Sequence, residues 1–264
     1  MERLDLLARL RAVDDDLLDD AEAAADSIGA RRPRTIDDLR RDLIDASPHI
    51  RVRAASALGR AADPATTTAL RQAAGDLVPA VRAAALAALV RLSPDLLLPE
   101  IVKALRGGDA RVVTGAAVVL GRAALLGAPV HAAAPNLVEA FKTDDPEIGA
   151  AVAWALGCMG EKAVVPWLVA ALEQGFVPQA AAEALGRLAD PRAQPTLLAA
   201  LAHEDERVRA AAARALGRLP DPPIARLELM LIDSSPRVRL CAALALYEGG
   251  EDPAPLSRAR DEKP

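Results

Sequence analysis

Apolar residues recur along this chain in a twelve-position block that returns seven times. The blocks are IRVRAASALGRA from Ile50, VRAAALAALVRL from Val81, VVTGAAVVLGRA from Val112, IGAAVAWALGCM from Ile148, VPQAAAEALGRL from Val177, VRAAAARALGRL from Val208 and VRLCAALALYEG from Val238. A leucine anchors every copy: Leu58, Leu89, Leu120, Leu156, Leu185, Leu216 and Leu246, spaced by 31, 31, 36, 29, 31 and 30 residues. In each block the first Val or Ile, the residues four and seven places on, the anchor leucine and the position three beyond it share one helical face. The pattern therefore predicts seven helices, each burying the same stripe.

A second helix is expected ahead of each block, most clearly in DPRAQPTLLAALAHED from Asp190 and in related stretches at 94–109 and 160–175. Proline near a helix start is compatible with its first turn. Asp63-Pro64, Ser93-Pro94, Asp190-Pro191 and the run 220–223 punctuate the boundaries, while Ser47, Asp109, Asp145, Asp205 and Ser235 are placed to cap the second helices. The unit is a helical hairpin of about 31 residues, a length at which repeats stack into solenoids. The expected fold is all-α, a right-handed α-solenoid or superhelix of about seven hairpins.

This hairpin ending in an ALG-like motif resembles the short HEAT repeats of bacteria, the phycobilisome-lyase type, over residues 34–250. The resemblance is specific for architecture. For function it implies several classes, since such repeats serve scaffolds, lyase subunits, DNA-repair proteins and metal hydroxylases. Residues 1–33 fall outside the register. There Leu4, Leu7, Leu10, Val13, Leu17, Leu18, Ala21 and Ala24 run at helical spacing beside a dense acidic face, which suggests a cap for the amino-terminal end. Residues 251–264 carry too little apolar content to pack and read as a flexible tail.

Composition adjusts this picture in three ways. Hydrophobic residues make up 52% of the 264, yet only two Trp, one Tyr and two Phe are present, so the core is built of small aliphatic residues. No run approaches the roughly 20 apolar residues of a membrane span, and the first twenty residues are charged throughout, unlike a secretory signal. Cys158 and Cys241 lie three repeats apart, too far for a disulfide of roughly 6 Å Cα separation, so a cytoplasmic protein with free thiols is expected. The net charge of −5 gives no global attraction to nucleic acid.

No constellation for catalysis is visible, and neither metal nor other cofactor is expected. The three histidines, His49, His131 and His203, are far apart in the register, and no pair has metal-ligand spacing. Deoxyhypusine hydroxylases are HEAT proteins whose metal site uses several His-Glu dipeptides; here His203-Glu204 is single and precedes its helix. Phosphate-binding and acyl-transfer motifs are missing.

Two features rise above the plain repeat. Two places after the anchor leucine stand Arg60, Arg91, Arg122, Arg187 and Arg218, a possible basic row that helix dipoles and the following Asp63 or Asp190 would also explain. A second register, directly after the first Val or Ile, holds Arg51, Arg82, Arg209 and Arg239 but is lost at Val113, Gly149 and Pro178. In that same stretch the aromatics gather. Phe141 replaces a core leucine; Trp154, Trp167 and Phe176 fall in registers that are small or polar elsewhere and are expected to be either partly exposed or gap-filling. With Arg122, Arg187, Gln179 and Glu183 they form the candidate partner-binding set. Repeat seven ends in Leu240, Leu244 and Tyr247, so its open end is expected to be covered by the tail or by another chain. The sequence thus points to a scaffold or adaptor for a protein or peptide, monomeric or weakly dimeric. Nucleic-acid binding through the arginine row, or a lyase-like subunit, are the alternatives.

Overall fold

The computed structural model describes residues 35–248; the expected capping segment 1–33 and tail 251–264 lie outside the described residues. The chain is an all-α solenoid, and among the described residues no strand occurs. Seven hairpins follow one another: α1 (Ile36–Asp42) with α2 (Pro48–Ala61), α3 (Thr67–Ala73) with α4 (Pro79–Leu92), α5 (Pro94–Leu105) with α6 (Ala110–Leu125), α7 (Ala134–Ala140) with α8 (Pro146–Met159), α9 (Val165–Glu173) with α10 (Pro178–Leu188), α11 (Gln194–Ala200) with α12 (Glu206–Gly217), and α13 (Ile224–Leu229) with α14 (Pro236–Glu248). The chain divides into two compact units between Ala155 and Leu156, inside α8. In each unit second helices pack mainly on second helices and on the first helix of their own hairpin.

The anchor leucines hold the core as the spacing predicts, all seven being at most 3% exposed. A second ladder, not singled out by the sequence pattern, runs through the first helices: Leu39, Leu70, Ile101, Leu137, Leu168, Leu197 and Leu227, the last six fully buried. Each such side chain contributes roughly 1.5–3 kcal/mol relative to exposure. A surface pair such as Lys142–Glu139, at 2.7 Å, adds roughly 0–1 kcal/mol, so packing and not surface charge holds the array. Phe141 is buried one turn beyond Leu137, as its leucine register requires.

The glycine that follows five of the seven anchor leucines has a packing cause. A Cβ on Gly59 would lie 2.9 Å from the Ala88 Cβ, on Gly157 3.0 Å from the Ala184 Cα, and on Gly186 2.7 Å from the Ala215 Cα. At Gly217 the same Cβ would overlap Ala245. Each glycine thus meets the alanine that precedes the next anchor leucine, and this small-on-small contact lets neighbouring second helices approach closely.

Two sequence expectations need correction. Asp109, Asp145 and Asp205 do cap α6, α8 and α12, accepting from backbone N–H groups of the first turn. Ser47 and Ser235 occupy the cap positions of α2 and α14, but the Ser47 hydroxyl makes no cap bond and the Ser235 hydroxyl is buried without a partner. Their own N–H groups instead donate to Asp45 and Asp233, two residues earlier. In repeat five the block begins one turn late: Val177 caps α10 with a positive φ of 43°, and the helix starts at Pro178. That lost turn accompanies the short 29-residue spacing.

Candidate partner-binding surface

At about 100° per residue, the positions five and two before the anchor leucine and two after it lie roughly 140–200° away from it. They point away from the buried ladder, and the glycine and alanine contacts occupy the flanks. Each second helix therefore has an open face made of three registers.

In unit two this face is polar on α10 and α12, while α14 brings Leu244 to it. On α10, Gln179 Nε2 donates to Glu183 Oε1 at 2.9 Å, and Glu183 and Arg187 are half-buried. Arg214 follows on α12 and Arg218 directly after its end, and Cys241 on α14. Burial pushes the Cys241 thiol above its ordinary range, while the nearby Arg214 and Arg237 charges oppose the rise and Glu183 adds to it. The charges of Glu183 on α10 and Arg214 on α12 thus both reach the Cys241 thiol on α14.

In unit one the face is different. Ala84 and Ala87 of α4, Val118 of α6, and Ala151 and Trp154 of α8 are between 0 and 6% exposed. Trp154 is therefore not a surface residue: its ring covers Gly121, whose Cβ it would displace. Of the two readings open for it, partial exposure does not match this burial. Trp167 behaves oppositely, standing 48% exposed on α9, a first helix, and so belongs to a different layer from Gln179, Glu183 and Arg187. Phe176 lies in the α9–α10 turn and is half-buried. Of the seven candidate residues, Gln179, Glu183 and Arg187 share a face.

The basic row lies on the open face within each unit: Arg60 and Arg218 are exposed, and Arg91, Arg122 and Arg187 half-buried. Asp63 and Asp190 are committed elsewhere. Asp63 accepts from the Ala65 N–H, and Asp190 from the Arg192 guanidinium at 2.9 and 2.8 Å and from its backbone N–H. The side-chain bond from Arg192, with the backbone bond second, holds the Asp190 carboxyl down at about 2.

The second arginine register is structural. Arg51 donates to the Asp45 and Ala46 carbonyls and through Nε and Nη2 to the Asp76 carboxylate at 2.8 and 3.0 Å. Asp76 also accepts from the Val78 N–H. Arg209 repeats the arrangement with the His203 and Glu204 carbonyls and Asp233. One arginine therefore ties its own turn to the next. Burial raises the Asp76 carboxyl, but hydrogen bonds from Arg51 and Val78 outweigh it and leave the group below its usual range; Asp233 is lowered chiefly by Arg209. The turn position reads Asp45, Asp76, Gly107, Thr143, His203 and Asp233. The acid is missing where the arginine gives way to Val113 and Gly149, and also at His203, where Arg209 is retained, so acid and arginine do not covary within one repeat. His203 serves here as a turn residue, its Nδ1 accepting from the Asp205 N–H at 3.0 Å.

Comparison with known proteins bears on this geometry. The profile of the HEAT-repeat family matches residues 36–121, 98–177 and 176–247. The chain belongs to the HEAT-repeat family. No curated protein matches its sequence. Among solved structures, the complex of CpcE and CpcF of phycocyanin lyase from Nostoc sp. PCC7120 is 24% identical, with 89% of this chain and 98% of that chain covered and a TM-score of 0.48. An engineered protein is 21% identical over 83% of this chain and 99% of its own, with a TM-score of 0.50, and a second engineered protein gives 21%, 82%, 96% and 0.50. These likenesses concern the HEAT fold. Among the described residues of this HEAT array, no helix is long and apolar enough to cross a membrane.

Proposed function

We propose that this HEAT array is a cytoplasmic scaffold or adaptor that binds a protein partner on the open second-helix face of repeats five to seven. One observation carries the reading: Glu183 and Arg214 stand on that face where α4, α6 and α8 have Ala87, Val118 and Trp154. Large polar side chains there are not needed by the core, and half-buried arginines beside a carboxylate suit a protein interface with a polar, oriented contact. Of the candidate set, the proposed surface uses Gln179, Glu183 and Arg187 and leaves out Trp154, which is 6% exposed. Trp167 remains an exposed aromatic of the other layer and is not needed by this proposal.

The test is affinity purification from the native host with the wild-type chain, with Arg187→Glu/Arg214→Glu, and with Trp167→Ala as an outer-layer control. A partner held by wild type and by the control but lost with the double variant, at unchanged helical content, supports the surface. Equal recovery with all three removes it.

The arginines at equal height on the same face favour nucleic acid as the second reading. It predicts DNA retention at low salt that falls steeply as salt rises and weakens with Arg187→Glu/Arg218→Glu. No retention at low salt excludes it.

A further inference from the structure

We infer that residues 4–24 of this chain dock as an acidic amphipathic helix on the open face of α4, α6 and the start of α8, forming a third layer over repeats two to four. The inference does not rest on the function proposed above. It begins with a contrast in burial. Ala84 is 1% exposed, Ala87, Val118 and Ala151 are 0%, and Trp154 is 6%. The same registers are partly open at Arg53 and Ser56 of α2, and at Ala180, Glu183 and Arg214 of α10 and α12. Neighbouring second helices and the first helices cover the other sides, so burial of this side calls for a further element.

The residue types say the same thing independently. The register two before the anchor leucine reads Ser56, Ala87, Val118, Trp154, Glu183, Arg214 and Leu244, apolar in three successive repeats only at two to four, with repeat seven the one other apolar member. A face meant for water would keep the polar pattern of repeats one, five and six; a valine beside alanines makes an apolar floor. Arg91 and Arg122, half-buried, stand along its edge.

The occupant follows from length, pattern and charge. Thirty-four residues precede Thr35, which leads directly into α1 of the same unit. Leu4, Leu7, Leu10, Val13, Leu17, Leu18, Ala21 and Ala24 supply an apolar stripe, and Asp14, Asp15, Asp16, Asp19 and Asp20 supply charge opposite to Arg91 and Arg122. As a helix, 21 residues extend about 32 Å, enough to cross three helices packed about 8–10 Å apart. The ten residues from Gly29 to the first residues of α1 leave reach for the crossing from the outer layer. The segment 249–264 does not qualify, since GGEDPAPLSRARDEKP offers one leucine among prolines and charges.

Trp154 reports on the docking directly. In the full chain with Trp167→Phe, Trp154 is the sole tryptophan, and acrylamide should quench it poorly. Adding Leu7→Glu, Leu10→Glu and Leu17→Glu should raise the quenching constant several-fold while residues 194–217 of unit two keep their hydrogen-exchange protection. An unchanged constant overturns the proposal, because the array alone would then be shielding the ring. Hydrogen exchange on the unaltered chain provides the second measurement, which depends on no variant folding: protected amides across 4–24 are required, and free exchange there overturns the docking even if the triple variant is unstable.

Discussion

Ala62 and Ala189 close α2 and α10 in the left-handed region, at φ 53° and 48°, with their N–H groups returning to the Leu58 and Leu185 carbonyls. A side chain at such a position costs roughly 1–2 kcal/mol, and glycine relieves it at some expense in unfolded-state entropy. Ala189→Gly should therefore stabilise the chain, by roughly 0.5–1 kcal/mol, seen as a higher urea midpoint; a lower midpoint would refute the strain. Asp190, next in sequence, gives a pH signature. Its folded carboxyl sits at about 2, below the ordinary value near 3.8, so its contribution is complete above about pH 4 and is lost as pH falls through about 2. Wild type should exceed Asp190→Asn in stability at pH 7, and the gap should close toward pH 2.

At the scale of elements, the ties between consecutive turns are the sharpest target. The Arg51–Asp76 and Arg209–Asp233 pairs are 2.8 and 2.9 Å long, with side chains only 10–14% exposed. Removing one partner of such a pair leaves a poorly solvated charge and strips two turn carbonyls of their donor. Arg209→Ala should cost about 2–4 kcal/mol, and Arg209→Lys should recover little, because a lysine cannot span the carboxylate and both carbonyls. Calorimetry of the two variants decides this. The sequence displayed these elements unevenly. Anchor leucines, glycines and aspartate caps were legible because each acts within one helix or recurs at one spacing. The Arg–Asp ties were half-legible: the arginine register stood out, while its partner lay 24 or 25 residues away in a turn that also accepts Gly107, Thr143 or His203. Trp154 was not legible, because its packing partners lie outside its own repeat, Gly121 against its ring being 33 residues back in the preceding second helix.

At the scale of the whole molecule, the architecture was legible and the binding surface was not, for a physical reason. Stacking repeats requires the same residue at the same register, which leaves a period, whereas a partner surface uses departures from it, and departures can also be buried, as Trp154 is. The same nearest-neighbour logic governs stability, since each repeat owes its stability to the repeats beside it. Gly217→Ala forces the α12 backbone against Ala245 of α14, and the closest atoms include backbone that cannot rotate away. Overpacking of this kind costs roughly 1–3 kcal/mol and outweighs the gain of about 1 kcal/mol from replacing a helical glycine. Gly108→Ala is the control, because a Cβ there meets nothing within 4 Å and its effect should stay within roughly 0.5 kcal/mol of zero. Hydrogen exchange followed by mass spectrometry should show Gly217→Ala losing protection first in α12 and α14 and least in α4 and α6, whose chain segment belongs to the other compact unit. A uniform loss across all seven repeats would mean that the array unfolds as one cooperative body, and the division within α8 would then have no energetic counterpart.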